Sequence, residues 1–313
     1  MLNSPYTPGA GHRPPVLAGR DALLREWRTG LNDVAATGRR RAPDIILTAP
    51  RGVGKTATVL AFQDICQDQG FEVIRLQASA GNAGLVDGLL RRARRADLGS
   101  GPWSRARRAF ERIASLNVNV LGSGAGLGLH DGQPGPTGSA SSEDVAEALA
   151  TLAREVRSER PGGGVMLALD EIQVAPKADL TLLAAALHGL NAEYPDAPVM
   201  FAASGLPHTF QVLDRAGVTH PDRLFKFRPV PLLLEPADAR YAIVEAARVN
   251  SVAWEPEAAE RVACLFVAFT VRARATQRPR FLGDGGRRRR ARWRSQKRSA
   301  RQRSGCRRPA GTE

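Results

Sequence analysis

Cysteine is scarce in this chain. Cys66, Cys264 and Cys306 lie far apart and form no C-x-x-C, a spacing that indicates neither a zinc site nor a disulfide framework. The five histidines are equally scattered. His130 has no Cys, His or Glu at ligand spacing, so it reads as a surface residue and not as a metal ligand. No apolar run approaches the roughly 20 residues that span a bilayer. The opening stretch MLNSPYTPGAGHRPP also lacks the charged-then-apolar order of a signal peptide. The expectation is therefore a cytoplasmic protein with no membrane partner. Acidic residues are missing from one region. Residues 270–313 hold 16 of the 45 Lys and Arg but 2 of the 31 Asp and Glu, which leaves residues 1–269 with 29 of each. The formal net charge of +14 thus belongs to the tail, and the body is neutral.

What the sequence does contain begins with DIILTAPRGVGKTATVL, Asp44 to Leu60. Ile45, Ile46 and Leu47 form a run suited to a buried parallel strand, and Thr56 to Gln69 keeps Ala57, Leu60, Ala61 and Ile65 at helical spacing before Gly70. Between them, Ala49, Pro50, Arg51, Gly52, Val53, Gly54, Lys55 and Thr56 fit the phosphate-loop pattern G-x-x-x-x-G-K-[ST], with Ala in place of the first glycine. Gly52 and Gly54 let successive N–H groups turn inward at the positive end of a helix. Lys55 can then reach the terminal phosphates of a nucleotide, and the Thr56 hydroxyl can ligate Mg²⁺.

A second acidic constellation lies 115 positions after Lys55. Gly164 to Gln173, GVMLALDEIQ, reads as a buried strand ending in Asp170 and Glu171. In a parallel sheet, ligands sit beyond the carboxyl ends of the strands, so these acids are expected beside the phosphate loop. Asp170 would hold Mg²⁺, and Glu171 would polarise a water for attack on the γ-phosphate. A further strand, Pro198 to Gly205, ends in Ser204, which is suited to hydrogen-bond that water or the phosphate. A last strand is read in Asp222 to Leu234, and Arg223, at its start, could offer its charge to a nucleotide held by a neighbouring subunit, with Arg228 and Arg215 as rivals.

The remaining text sorts by composition and period. Residues 1–15 read as a disordered leader. Leu23, Leu24, Trp27 and Leu31 mark an amphipathic helix, Phe71 to Ala78 a strand, and Asn82 to Ala96 and Trp103 to Leu116 two helices. Arg105, Arg107, Arg108 and Arg112 on the last of these suit a solvated face better than a nucleic-acid surface, because the body carries no net charge. Asn117 to Leu129 alternates apolar and small residues and reads as a hairpin or strand insertion. Asp131 to Ser142 reads as a flexible linker, and Val145, Leu149, Leu152 and Val156 as a helix packed on the sheet.

Taken in order, LAGRDALL (Leu17 to Leu24), APRGVGKT (Ala49 to Thr56), VMLALDEIQ (Val165 to Gln173), AASGLP (Ala202 to Pro207), RLFKFRPVPL (Arg223 to Leu232) and EPADARYAIVEAA (Glu235 to Ala247) resemble an AAA+ ATPase of the origin-recognition-like type, found as stand-alone bacterial ATP-binding proteins. The resemblance implies an α/β P-loop NTPase fold: a five-stranded parallel sheet flanked by helices at 16–234, with a truncated helical lid at 235–269. It also implies ATP and Mg²⁺ as cofactors, Gly19 and Arg20 at the adenine edge, and nucleotide-driven opening and closing. Homo-oligomers or a client protein would be its partners. Glu257 to Leu265 fits a second lid helix behind Pro256, but the family's Gly-Tyr-Pro segment and further lid helices are absent. The Arg-rich residues 270–313 read either as a disordered arm for nucleic-acid phosphates or as a GC-rich coding sequence translated out of frame. The function expected is a slow ATPase acting as a switch. The alternatives are a signalling protein that binds nucleotide without turnover and a DNA-associated ATPase using the tail. A small-molecule kinase is disfavoured, because an Asp-Glu pair closing the strand suits water activation.

Overall fold

The computed structural model describes residues 13–41, 44–78, 84–96, 101–121, 141–232 and 234–265. The leader up to residue 12, most of the linker and the Arg-rich tail lie outside them. Two compact units emerge, one of Ala22–Val230 and the other of residues 13–21 with the described residues from Pro231 on.

The first unit is built on five parallel strands: β1 (Asp44–Thr48), β2 (Glu72–Gln77), β3 (Val165–Asp170), β4 (Val199–Gly205) and β5 (Phe225–Pro229), in the order β2-β3-β4-β1-β5. β3 and β4 are buried along almost their whole length, as continuous apolar runs covered on both faces must be. β2, at an edge, alternates instead: Ile74 and Leu76 point into the core while Arg75 and Gln77 are exposed. Around the sheet lie α1 (Asp21–Thr37), α2 (Lys55–Asp68), α3 (Leu85–Ala96), α4 (Pro102–Leu121), α5 (Ser142–Glu159), α6 (Lys177–Ala192), α7 (Thr209–Ala216) and the single turn α8 (Pro221–Leu224).

Apolar side chains at helical spacing hold these layers together. Trp27 of α1 stacks on Phe62 of α2, ring centroids 4.5 Å apart and planes 6° from parallel. Burying a side chain of this size contributes roughly 2–3 kcal/mol. Cys66 lies buried in the same layer, where desolvation pushes its thiol up to about 12 against the opposing contact of Trp27. At the amino ends of the strands, the side chain of Arg40 pairs with Asp44 and donates to Asn191 Oδ1 (2.6 Å) and to the carbonyl of Val199 (2.9 Å), joining β1, α6 and β4.

Three local expectations change. Asn117 to Leu121 continues α4 and is not extended. Val118 and Val120 favour strands, but adding residues to an existing helix needs no new nucleus; residues 122–129 lie outside the described region. The linker ends in a helix start: Ser141 caps α5 by accepting the N–H of Asp144 at 3.1 Å, while Asp144 returns a bond to the Ser141 N–H. Asp222 and Leu224 belong to α8, so the last strand begins at Phe225 and closes at Pro229. Three arginines of α4 face acids, as a solvated face predicts. Arg105 pairs with Glu155 and Glu159, Arg112 with Glu147, and Arg107 with Glu111.

The second unit contains α9 (Pro236–Val249) and a helix over 256–265, α10. Both lie where two lid helices are expected. Pro236 occupies the first turn of α9, where its missing N–H costs nothing. Gly19 sits at φ +66, and a Cβ there would press on Leu234 and Asp238. Arg20 is buried, and desolvation lowers its guanidinium from the ordinary value while Asp238 opposes the shift. Cys264 is disulfide-bonded, which the wide cysteine spacing does not foretell. Among the described residues no helix is long and apolar enough to cross a membrane.

Candidate active site

The loop between β1 and α2 is open to solvent at Arg51 and Gly52, with Gly52 at φ +79 and Gly54 at φ +89. Both values lie in the left-handed region where a side chain is strained, so this path needs glycine at each position. A Cβ at Gly52 would meet nothing within 4 Å, which leaves room beside the backbone. Gly54 is the N-cap of α2, and no side chain caps that end. The first N–H groups of α2 are therefore available at the positive pole of the helix, the arrangement that attracts an anion.

Lys55 is 5% exposed, and its Nζ donates to the Pro50 carbonyl at 3.2 Å. Burial lowers its pKa from the ordinary lysine value; Glu171 and Asp170 oppose that shift, and Arg51 adds to it. The two carboxylates and the amine thus feel one another across the site. Thr56 Oγ1 donates to Asp170, 3.0 Å from Oδ2 and 3.2 Å from Oδ1.

Sheet order explains this meeting. β4 lies between the loop-bearing β1 and the acid-bearing β3, with Leu47 level with Ser204 and Leu169 level with Ala203. All three carboxyl ends therefore open on the same edge. Ser204, fully buried, donates to Asp170 Oδ1 and accepts the Glu171 N–H at 3.3 Å. The Glu171 N–H also points to Asp170 Oδ1 at 3.1 Å. One hydroxyl and one carboxylate, from Thr56 and Asp170, form the hard oxygen pair that suits Mg²⁺ in a phosphate site. Together with the lysine and the uncapped helix end, these residues fit a magnesium-bound polyphosphate.

Of the residues singled out by sequence, Ala49 to Thr56, Asp170, Glu171 and Ser204 converge at this edge. Arg223 does not. It is exposed on α8, ahead of Phe225, which is level with Asp44 at the amino end of β1. A five-residue strand separates it from the loop, about 15 Å. Among its rivals, Arg228 is held by Glu26, at 2.9 Å through Nε and 2.7 Å through Nη2, and Arg215 is exposed on α7. Gly19 and Arg20 belong to the second unit. A cavity of about 320 Å³ there is lined by Leu17, Gly19, Asp238 and Tyr241 among others.

Sequence reasoning missed Gln173. Its Nε2 donates to Glu171 Oε2 at 2.6 Å, and its Oε1 accepts the Leu206 N–H at 3.1 Å. The available signal was an amide two positions after Glu171, in the turn that leaves the acidic strand.

The solved structures this chain resembles include CDC6P from Pyrobaculum aerophilum, at 13% identity and TM-score 0.46, covering 82% of this chain and 57% of that one. The Aeropyrum pernix ORC2 protein in its ADPNP–ADP complexes matches at 15% identity and TM-score 0.46, covering 82% and 59%. The Aeropyrum pernix ORC1 protein in complex with DNA matches at 19% identity and TM-score 0.39, covering 85% and 63%. The chain thus spans about six-tenths of the length of these proteins. No curated protein matches it. A family described as AAA ATPase domain matches residues 16–201, more than half of the chain, and contains the phosphate loop, Asp170 and Glu171; the chain belongs to this AAA ATPase family.

Proposed function

We propose that the protein binds Mg²⁺·ATP and hydrolyses it slowly, as a nucleotide-dependent switch. The observation that carries this reading is the convergence of Thr56, Asp170 and Glu171 around the buried Lys55, at the uncapped end of α2. Lys55 and the N–H groups of Gly52 to Thr56 bind the terminal phosphates. Magnesium, held by Thr56 and Asp170, would supply charge neutralisation on those phosphates. Ser204 keeps Asp170 oriented and can accept from a water while doing so, whereas donating to the γ-phosphate would require it to leave that carboxylate. Glu171 orients the attacking water and takes its proton. The placement of Gly19 and Arg20 at the adenine edge rests on family resemblance alone. A nucleic-acid role rests on residues 270–313, and deleting them tests it.

Calorimetry with ATP and phosphate release at saturating ATP provide the check. Lys55→Ala removes a charge-assisted phosphate contact and weakens binding about 100-fold or more, roughly 3 kcal/mol. Glu171→Gln keeps the wild-type Kd and lowers turnover about 10²- to 10⁴-fold. Equal loss of binding and turnover in Glu171→Gln contradicts the role given to Glu171. Wild-type binding without phosphate release assigns the protein to nucleotide-gated signalling.

A further inference from the structure

Glu171 has an unusual backbone. At φ 54 and ψ 43 it is a non-glycine residue in the left-handed region, a conformation that costs about 1 kcal/mol or more and persists where the surroundings impose it. The surroundings are visible. Its N–H is shared between Asp170 and Ser204, and its carbonyl accepts the Val174 N–H at 2.8 Å, closing a short turn over Ile172–Val174. Ile172, fully buried, pins that turn to the core.

The backbone is thus fixed, but a glutamate still has three side-chain torsions. The amide of Gln173 donates a hydrogen bond to the carboxylate at 2.6 Å, while the charge of Lys55 attracts it without fixing its orientation. The orientation of the amide is not arbitrary. The Leu206 N–H is a donor with no acceptor capacity, so the amide oxygen must face it, and the NH₂ group must then face Glu171. A hydrogen bond to an ionised carboxylate is roughly twice as strong as a neutral one. Leu206 is the first residue beyond β4, and Thr209 closes the following turn by donating to the Leu206 carbonyl at 2.6 Å.

We infer that Gln173 is the positioning residue for Glu171, tying its carboxylate to the carboxyl end of β4. Gln173 makes no contact of its own with substrate; it restricts where the base can point. This rests on the ATPase reading above. Gln173→Glu is the discriminating variant. It keeps the volume and the acceptor for the Leu206 N–H, and it replaces the donor facing Glu171 with a second carboxylate.

Phosphate release, ATP calorimetry and thermal unfolding of the full chain test the inference, with wild type and Glu171→Gln in parallel. The expected result for Gln173→Glu is a wild-type Kd for ATP, a melting temperature close to wild type, and turnover lowered about 10- to 100-fold by misplacement of the base. Gln173→Met, which lacks both contacts, should show the same split. Turnover equal to wild type in Gln173→Glu overturns the inference and leaves the ATPase reading intact. Parallel loss of Kd, turnover and melting temperature also overturns it, because that pattern is a structural role. A wild-type protein that binds ATP without releasing phosphate overturns both.

Discussion

Asp44 shows how much a single buried charge can reveal about a fold. Its carboxylate and the Arg40 guanidinium are almost wholly removed from water, with side chains 2% and 1% exposed. Desolvation pushes the Asp44 carboxyl up to about 6, and Arg40 acts against that shift. A carboxyl whose folded value lies above its unfolded value binds protons more tightly in the native state. Its stabilising contribution is therefore complete below about 4 and is lost as pH rises through about 6. Relative to Asp44→Asn, wild-type stability should grow as pH falls from 7 to 4, by no more than about 3 kcal/mol. Urea unfolding of both proteins across that range measures the gap. A gap that narrows on acidification means that Arg40, not burial, governs this group.

Between β4 and α7 lies a close approach in which packing and chemistry share atoms. A Cβ on Gly205 would overlap Thr209 Oγ1 and come within 3.1 Å of Ile172 and 3.2 Å of Gln173 Oε1. Thr209 is fully buried and has no room to retreat. Gly205→Ala should therefore cost about 1–3 kcal/mol in unfolding free energy, the usual range for overpacking. It should also lower turnover more than ATP affinity, because the displaced amide is the one that holds Glu171. Denaturant unfolding with steady-state kinetics checks both effects; an unchanged stability means that the turn yields freely. The strands and the phosphate loop were legible in the sequence because their signals are local. The Ile45 to Leu47 run and the glycine spacing need no knowledge of partners. The Gln173 bridge was not legible, since Leu206 is 33 residues away in the chain and only the β3–β4 pairing brings it near. Asn117 to Leu121 was misread because strand propensity there competes with a helix already under way.

At the scale of the whole molecule, Arg223 stands about 15 Å from the phosphate loop of its own chain, at the opposite end of a five-residue strand. That is beyond the reach of an arginine side chain. If it serves a nucleotide, that nucleotide belongs to another copy. Turnover per molecule should then rise with protein concentration in wild type, by about 10-fold or more, and stay flat in Arg223→Ala with ATP affinity unchanged. Phosphate release over a dilution series reads this directly, and identical concentration dependence in both proteins removes the role. The start of a strand in a parallel sheet lies at the end away from the phosphate loop, so the rule that puts Asp170 and Glu171 beside the loop also puts Arg223, ahead of β5, at the opposite end.

The position of β4 has a consequence for synthesis. The strand that sits between the two halves of the site comes later in the chain than both of them. A nascent polypeptide that has already emerged with its lysine and its twin acids still has a gap where β4 must slot in. The two halves of the site are therefore held at their native spacing only once the residues up to Gly205 have been made.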